Sequence, residues 1–495
     1  MKLTKLSLAM MSVMGAGFAS EAMALDLYVD TKTQQIYAEP GHGRVKLGSF
    51  EKVEDSAAQK AEAQAQKAEI QQIKEDLALK DNALKALDEH AQAAAENVKV
   101  KLDKKGLQFE SADKNFKFKL GGRIHADAAY HSGDDLVKKG THVEANDGTE
   151  IRRARMEMQG TFFKDWNFRT VADFADNAVA MKDVYLQYAG LKDVLLTAGQ
   201  HKQLFSRELL ESSNDLMFME RSLMDVLNAP VVDRAIGLSA GTKGSNWTAG
   251  LGIYGDSITP PTKTAAGPDK YDEGWGMSGR VTFAPIQEKT KLIHLGVAGN
   301  YRTADDNAEV SKSKALDYAY KSSHGSMLTL LEYKPTNVDS IKMLGLEASG
   351  LYGPFYAGGE YTRAWVDRDG GVEPNFTSDG WYTEAAWSIT GESRKYKDGV
   401  FKYLEPDKAF NPKSGAWGAW ELAARYSQVN IGSDATTRIG ASNLTVALNW
   451  YINSNFRFMA DYSRSFDFKN ANVTYPNGAQ PENLDVFMLR GQMAF

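Results

Sequence analysis

Asn115–Tyr130 reads N-F-K-F-K-L-G-G-R-I-H-A-D-A-A-Y. At period two the stretch divides into two rows. Phe116, Phe118, Leu120, Gly122, Ile124, Ala126, Ala128 and Tyr130 make one; Lys117, Lys119, Gly121, Arg123, His125 and Asp127 make the other. Strict alternation of this kind is a strand with one apolar and one polar face. A soluble sheet can carry the same pattern, so its weight comes from repetition down the chain. In the final run, Val486–Phe495, Phe487, Leu489, Gly491, Met493 and Phe495 alternate with Met488, Arg490, Gln492 and Ala494. A long succession of such strands, apolar outside and polar inside, is how a β-barrel crosses a lipid bilayer. The expected fold is all-β: a transmembrane antiparallel barrel over residues 105–495.

Working outward, sixteen further segments read as strands, from Ile151–Phe162 to Val486–Phe495. With the first they make an odd number, whereas a bacterial barrel with both ends in the periplasm needs an even one. Tight connections at Lys164-Asp165, Leu191-Lys192, Gly353-Pro354 and Asn453-Ser454 should all be periplasmic turns. Moving Met327–Lys334 from the strands into an outer loop puts all four on one side and leaves about 16 strands. Charge decides which face is which. A lysine or arginine at the lipid midplane costs about 2–4 kcal/mol. Lys117, Lys119, Arg153, Arg155, Arg169, Arg280, Arg425 and Arg457 together would exceed the roughly 5–15 kcal/mol stability of a domain, so they belong in the lumen or at a rim. Tyr130, Trp166, Tyr188, Trp275, Trp381 and Trp450 fall near strand ends, where interfacial aromatic girdles belong.

The segments before the barrel differ in kind. Residues 1–24 have the form of a secretory signal: Lys2 and Lys5, an apolar run to Phe18, then Ala22-Met23-Ala24. Residues 25–55 hold two short strand-like pieces broken at Pro40-Gly41, a small periplasmic cap or linker. Residues 56–98 are rich in Ala, Gln, Glu and Lys without Gly or Pro. Ile70, Leu77, Leu84 and Ala91 fall seven apart, interleaved with Ile73, Lys80, Leu87 and Ala94. That is the heptad seam of an N-terminal α-helical coiled coil, with a solvated single helix as the alternative.

Bulk properties exclude several classes. There is no cysteine, hence no disulfide framework and no thiolate metal site. The formal charge is −6, and removing Lys2, Lys5 and Glu21 with the signal leaves −7, so a basic nucleic-acid binder is not expected. The eight histidines are scattered without H-E-x-x-H, there is no Walker loop, and no cofactor is expected. Gly237-Leu238-Ser239-Ala240-Gly241 matches G-x-S-x-G, but a nucleophile elbow needs a strand, a strained turn and a helix. Here T-K-G-S-N follows, so the match reads as chance and no enzyme is expected.

The positive signal is a basic lumen. Arg123 lies on the first strand, Arg152, Arg153 and Arg155 open the second, and Arg169 is on the third. Guanidinium forks suit phosphate oxygens. Lys202–Ala229, between the fifth and sixth strands, is too long to be a plain connection and too apolar, with L-M-F-M at Leu216–Met219, to lie in water. It is expected to fold inward.

These residues resemble the phosphate-selective porin family, porins O and P of the Gram-negative outer membrane. The matching stretches are D-K-N-F-K-F-K-L-G-G-R at Asp113–Arg123, I-R-R-A-R at Ile151–Arg155, F-K-D-W-N-F at Phe163–Phe168 and L-Y-G-P-F at Leu351–Phe355. G-A-W-E-L-A-A-R-Y-S at Gly418–Ser427 and, most specifically, S-I-T-G-E-S-R-K-Y-K at Ser388–Lys397 complete the set. The resemblance runs from about Lys105 to Phe495 and omits the coiled coil. It implies trimeric 16-stranded barrels in the outer membrane, each passing phosphate or other small anions, with an inward loop after the fifth strand. It also implies a constriction of Arg123, Arg152, Arg153, Asp183 and Arg221. Arg155 stands where the family has an aromatic, Leu209 and Asn167 where it has lysines. An arginine ladder is replaced by a loop with Lys312, Lys314 and Lys321. Lys117, Lys119, Arg169, Lys312 and Lys314 are the expected further basic lining. A broader anion or polyphosphate channel, and a structural tether from outer membrane to peptidoglycan through the coiled coil, are the alternatives.

Overall fold

The structure, a computed structural model, describes residues 25–50, 57–103, 106–132, 136–258, 274–303, 316–326, 328–369, 374–434 and 437–495. The signal region and Lys312 and Lys314 lie outside the described residues. The chain forms two compact units, Met1–Ala93 and Ala94–Phe495.

In the first unit, Leu25–Asp30, Ile36–Tyr37 and Arg44–Phe50 make a three-stranded antiparallel sheet, one strand more than the two pieces legible around Pro40-Gly41. Helix Ala57–Asn97 follows. It is continuous, as its lack of Gly and Pro dictates. Ile70, Ile73, Leu77, Leu84 and Leu87 are all exposed in the single chain.

The second unit is a closed antiparallel barrel of sixteen strands. The first runs Phe116–Ser132 and the last Asn483–Ala494; each pairs with its sequence neighbours, and the last closes on the first. The described part of Met327–Lys334, residues 328–334, is indeed outside the wall: Leu331–Tyr333 pairs with Tyr318–Tyr320 in a small hairpin within an outer loop. The four tight turns lie on one side, and Lys164, Asp193 and Gly353 carry the positive φ such turns need. The paired glycines of the first strand have a steric role in closure. A Cβ on Gly121 would stand 2.6 Å from the Phe495 carbonyl oxygen, and one on Gly122 would stand 2.7 Å from that of Arg155. Gly122 and Phe495 exchange backbone hydrogen bonds of 3.0 Å in both directions.

The alternation settles the faces. On the first strand Arg123, His125 and Asp127 are buried while Ile124 and Tyr130 are exposed; on the last, Met488, Arg490 and Gln492 are buried while Phe487 and Leu489 are exposed. Burial here means the lumen, and the exposed apolar row is the outer surface. Aromatic pairs mark both ends of the wall, Trp166 on Tyr188 at 4.8 Å and Trp275 on Tyr301 at 5.6 Å.

The lumen is far from empty. Segment 203–233 folds in from the outer end with two short helices, Arg207–Leu210 and Met224–Val232. Leu216, Met217, Phe218 and Met219 are all buried, as their apolarity requires. Segment 389–418, which holds T-G-E-S-R, is the one long connection on the turn side. It folds in from the opposite end, so that the Phe401 amide donates to Glu211 at 3.0 Å and the Tyr403 amide to Asp215 at 3.2 Å. A hairpin of Val98–Asp103 and Gly106–Ser111 extends the first strand at its turn-side end, where Leu107 pairs with Leu120 and Phe109 with Phe118.

Candidate functional site

The inward loop is held by charged side chains rather than by apolar contact alone. Arg207 is fully buried and reaches Glu211 at 2.8 Å, Glu384 at 2.9 Å and the Tyr382 hydroxyl at 2.6 Å. The amides of Arg207 and Glu208 donate to the two oxygens of Glu360 at 2.9 and 2.7 Å. Further along, Arg457 donates to the Leu216 carbonyl, Asn449 to that of Met217 and Arg490 to that of Met219. The wall made by the later strands therefore supplies donors to a loop with no secondary structure of its own at that point, which satisfies backbone that could not otherwise be buried.

These segments fill one side of the lumen. Against the first six strands a cavity of about 590 Å³ remains. Arg123, Arg152, Arg153, Arg155, Arg169, Asp183 and Arg221 all line it, so the residues singled out on five separate elements are brought together. Sequence reading missed Lys182, Lys202, Arg234 and Lys402, which line it too. Lys202 was legible in principle: it continues the lumen-facing row two positions beyond Gln200, at the residue where the sequence suggests that the long loop begins. Lys402 was not, because it arrives on the turn-side segment 389–418. Ten lining residues are arginine or lysine, and only Asp183 and Asp233 are carboxylates.

The cations differ in their partners. Arg152 forms a two-pronged pair with Glu220 of the inward loop, Nε at 2.8 Å and Nη2 at 3.0 Å. Arg155 pairs with Asp173 at 2.7 Å, and Arg169 with Glu157 at 3.0 Å and Asp183 at 3.5 Å. Asp183 takes Arg234 at 2.6 Å. Arg123 reaches Glu157 only at 3.6 Å and donates to the hydroxyls of Ser212 and Ser213, both at 3.0 Å. Arg221 donates to backbone carbonyls at 3.2 and 3.5 Å, and Lys202 to those of Leu209 and Glu211. Arg153, 4% exposed, has His125 as its one side-chain hydrogen-bond partner among the described residues, at 3.4 Å. No carboxylate among the described residues lies within ion-pair distance of Arg153, Lys182, Lys202 or Arg221. Glu220, which also takes Arg490 at 3.2 Å, offsets part of this charge. Leu209, at the position of a family lysine, packs into the apolar cluster of the inward loop.

Lys117 and Lys119 do not join this cavity. They line another of about 440 Å³ nearer the turns, with Lys99, Lys101 and Asn167; Arg169 borders both. Lys117 is paired with Glu110 of the added hairpin at 3.2 Å. Ser239 lies inside a strand that continues to Lys243 and turns into Trp247–Tyr254. No helix follows it, and its hydroxyl ties to His201 Nε2 of the neighbouring strand at 2.8 Å. The elbow geometry is absent. Among the described residues no cluster of side chains is arranged to hold a metal.

A family model described as phosphate-selective porin O and P matches residues 118–495. Porin O of Pseudomonas aeruginosa is 28% identical over 425 residues, 79% of this chain and 91% of that protein. An uncharacterized protein of Caulobacter vibrioides is 27% identical over 393 residues, 78% of this chain and 76% of that one. Among solved structures, an anion-selective porin from Comamonas acidovorans aligns with a TM-score of 0.48 at 14% identity, covering 77% of this chain and all of that one.

Proposed function

Because this chain belongs to the phosphate-selective porin O and P family, we propose that it is an outer-membrane channel through which phosphate and related small anions diffuse passively. One observation carries the reading: Arg153, Lys182, Lys202 and Arg221 face a common cavity with no carboxylate in ion-pair distance among the described residues. A cation buried without a contacting counter-charge, as Arg153 is, is costly, and an oxyanion in the cavity would supply that contact. A unit charge about 4 Å from the ion is worth roughly 4 kcal/mol at an effective dielectric constant near 20. Arg123, with two serine hydroxyls on one of its nitrogens, completes the donors. Asp183 has a moderating role: it holds Arg234 and Arg169 in place and offsets attraction, since a conducting site must release its ion.

Planar-bilayer recordings test this. Reversal potentials under a chloride gradient should report anion selectivity, and phosphate should block the chloride current at low concentration. Cation-selective current would refute the reading. Leu209 and Asn167, each a neutral residue at a family lysine, favour a second version, a broader anion or polyphosphate channel. Phosphate and polyphosphate blocking with equal strength per charge would decide for it.

The helix Ala57–Asn97 supports a trimer. Its exposed seam of Ile70, Ile73, Leu77, Leu84 and Leu87 has the spacing that buries against identical helices, and mixed Ile and Leu suit a parallel three-stranded coiled coil in the periplasm. The mass of the detergent-solubilised complex should correspond to three chains, and a dimer mass would overturn that number. A tether towards peptidoglycan is the separate role this segment would serve. Deleting residues 56–98 should then release the envelope anchor and leave conductance unchanged.

A further inference from the structure

The amino-terminal sheet is too small to carry its own core, yet it is sharply two-faced. The register pairs Leu25 with Phe50 and sets Val29 opposite both Val45 and Ile36. With the alternation of each strand, Leu25, Leu27, Val29, Ile36, Val45 and Phe50 share one face. Leu25, Ile36, Val45 and Phe50 are all more than half exposed. The opposite face is complete in itself: Lys46 pairs with Asp26 at 2.5 Å, Ser49 also donates to Asp26, and the Arg44 guanidinium lies 3.5 Å over the Tyr37 ring. A three-stranded sheet gains independent stability only if its apolar face is packed against something.

Charge and the neighbouring helix together indicate what packs there. The polar groups of the cap are balanced in sign, Asp26, Asp30 and Glu39 against Lys32, Arg44 and Lys46, so nothing draws this face to an anionic leaflet. The next element of the same unit carries a second uncovered apolar row, whose heptad spacing is complementary to copies of itself. Any association through that row brings identical caps together at high effective concentration, and cyclic symmetry presents the same face of each to a common axis. We infer that the apolar face of the cap is covered by the same face of two further copies of this chain, giving a shared β core at the amino end of the helical bundle. The inference rests on the trimeric reading of the helix given above.

The chain has no cysteine, so single cysteines introduced into the full-length, membrane-inserted protein report without background. Val45→Cys samples the apolar face, Lys46→Cys the polar face and Leu77→Cys the helix seam. On mild oxidation, Val45→Cys and Leu77→Cys should each yield disulfide-linked pairs of subunits at least tenfold faster than Lys46→Cys. If Leu77→Cys crosslinks while Val45→Cys does no better than Lys46→Cys, the cap inference falls and the coiled coil stands. If Leu77→Cys also fails, both fall. A bimane probe on Val45→Cys separates the remaining occupant: quenching by a nitroxide-bearing lipid would place the face on the membrane and overturn the inference, whereas protection from lipid-borne and water-borne quenchers alike supports it.

Discussion

The two sides of the barrel lumen are built from the same residue types and end in opposite electrical states. On the side of the later strands carboxylates answer most of the buried arginines; Arg457 instead donates to the Leu216 carbonyl and to Gln492. Arg280 forks onto Glu347 at 2.8 and 2.7 Å, Arg394 onto Glu421 at 2.8 and 2.6 Å, and Arg490 onto Asp127 at 2.7 and 2.6 Å. On the side of the first six strands the arginines stand around open space, and Arg153, Lys182, Lys202 and Arg221 have no carboxylate within ion-pair distance among the described residues. Arginine in a barrel lumen is therefore not in itself a signal for anion passage. The paired set fixes segments that fold inward, and only the unpaired remainder is available to an ion.

That contrast can be broken from either side. The largest effect is expected from Glu421→Ala, which leaves Arg394 buried without its partner; removing one member of a buried pair costs about 3–5 kcal/mol. The heat needed to unfold the barrel in detergent should fall sharply, with ion selectivity unchanged in the channels that remain folded. Arg153→Ala should do the reverse. Stability should hold, while loss of a charge-assisted contact worth about 1.5–3 kcal/mol weakens phosphate block by roughly 10- to 100-fold and lowers anion selectivity with it. If neither property moves, Arg153 does not act on the permeating ion. Glu220→Gln lies between the two sides, since it frees Arg152 while loosening the loop. A rise in anion preference of a few-fold is expected at a cost of about 1–3 kcal/mol, read as reversal potential together with thermal unfolding. Ser239→Ala should change conductance, selectivity and hydrolysis of test esters not at all, and stability by no more than about 1 kcal/mol. Any loss of ester hydrolysis would reopen the G-x-S-x-G reading.

What the sequence made legible follows the same division. Alternation over Asn115–Tyr130 and its successors needs only local reading, and it located all sixteen barrel strands and the four turns. The convergence of Arg123, Arg152, Arg153, Asp183 and Arg221 was reachable through the family resemblance; Arg155, which departs from the family pattern, was reachable only from its place in the basic run at the head of the second strand. Whether an arginine is paired was not legible, because Arg152 meets Glu220 and Arg490 meets Asp127 across long stretches of chain. Nothing local in I-R-R-A-R marks Arg152 as a loop anchor and Arg153 as unpaired, although they are adjacent. Segment 389–418 escaped for a related reason. Its T-G-E-S-R was recognisable as a motif, but its entry into the lumen depends on Glu211, Asp215 and Glu421, which the motif does not contain.

The join between the last strand and the first also governs when the protein can come into being. Asn483–Ala494 is the last strand of the barrel, and until it is in place the sheet has two open edges that invite pairing with other chains. The join demands contact between strands far apart in the chain, Arg490 and Asp127 being 363 residues apart, the slowest kind to form. Arg490 binds Asp127 on the first strand, and also the Met219 carbonyl and Glu220 within the inward loop. One side chain thus ties the closing of the barrel to the seating of the inward loop, so that each favours the other, as a latch does when it catches both a door and its frame. A chain cut short before Asn483 should accumulate as an open-edged, protease-sensitive intermediate rather than as a leaky channel.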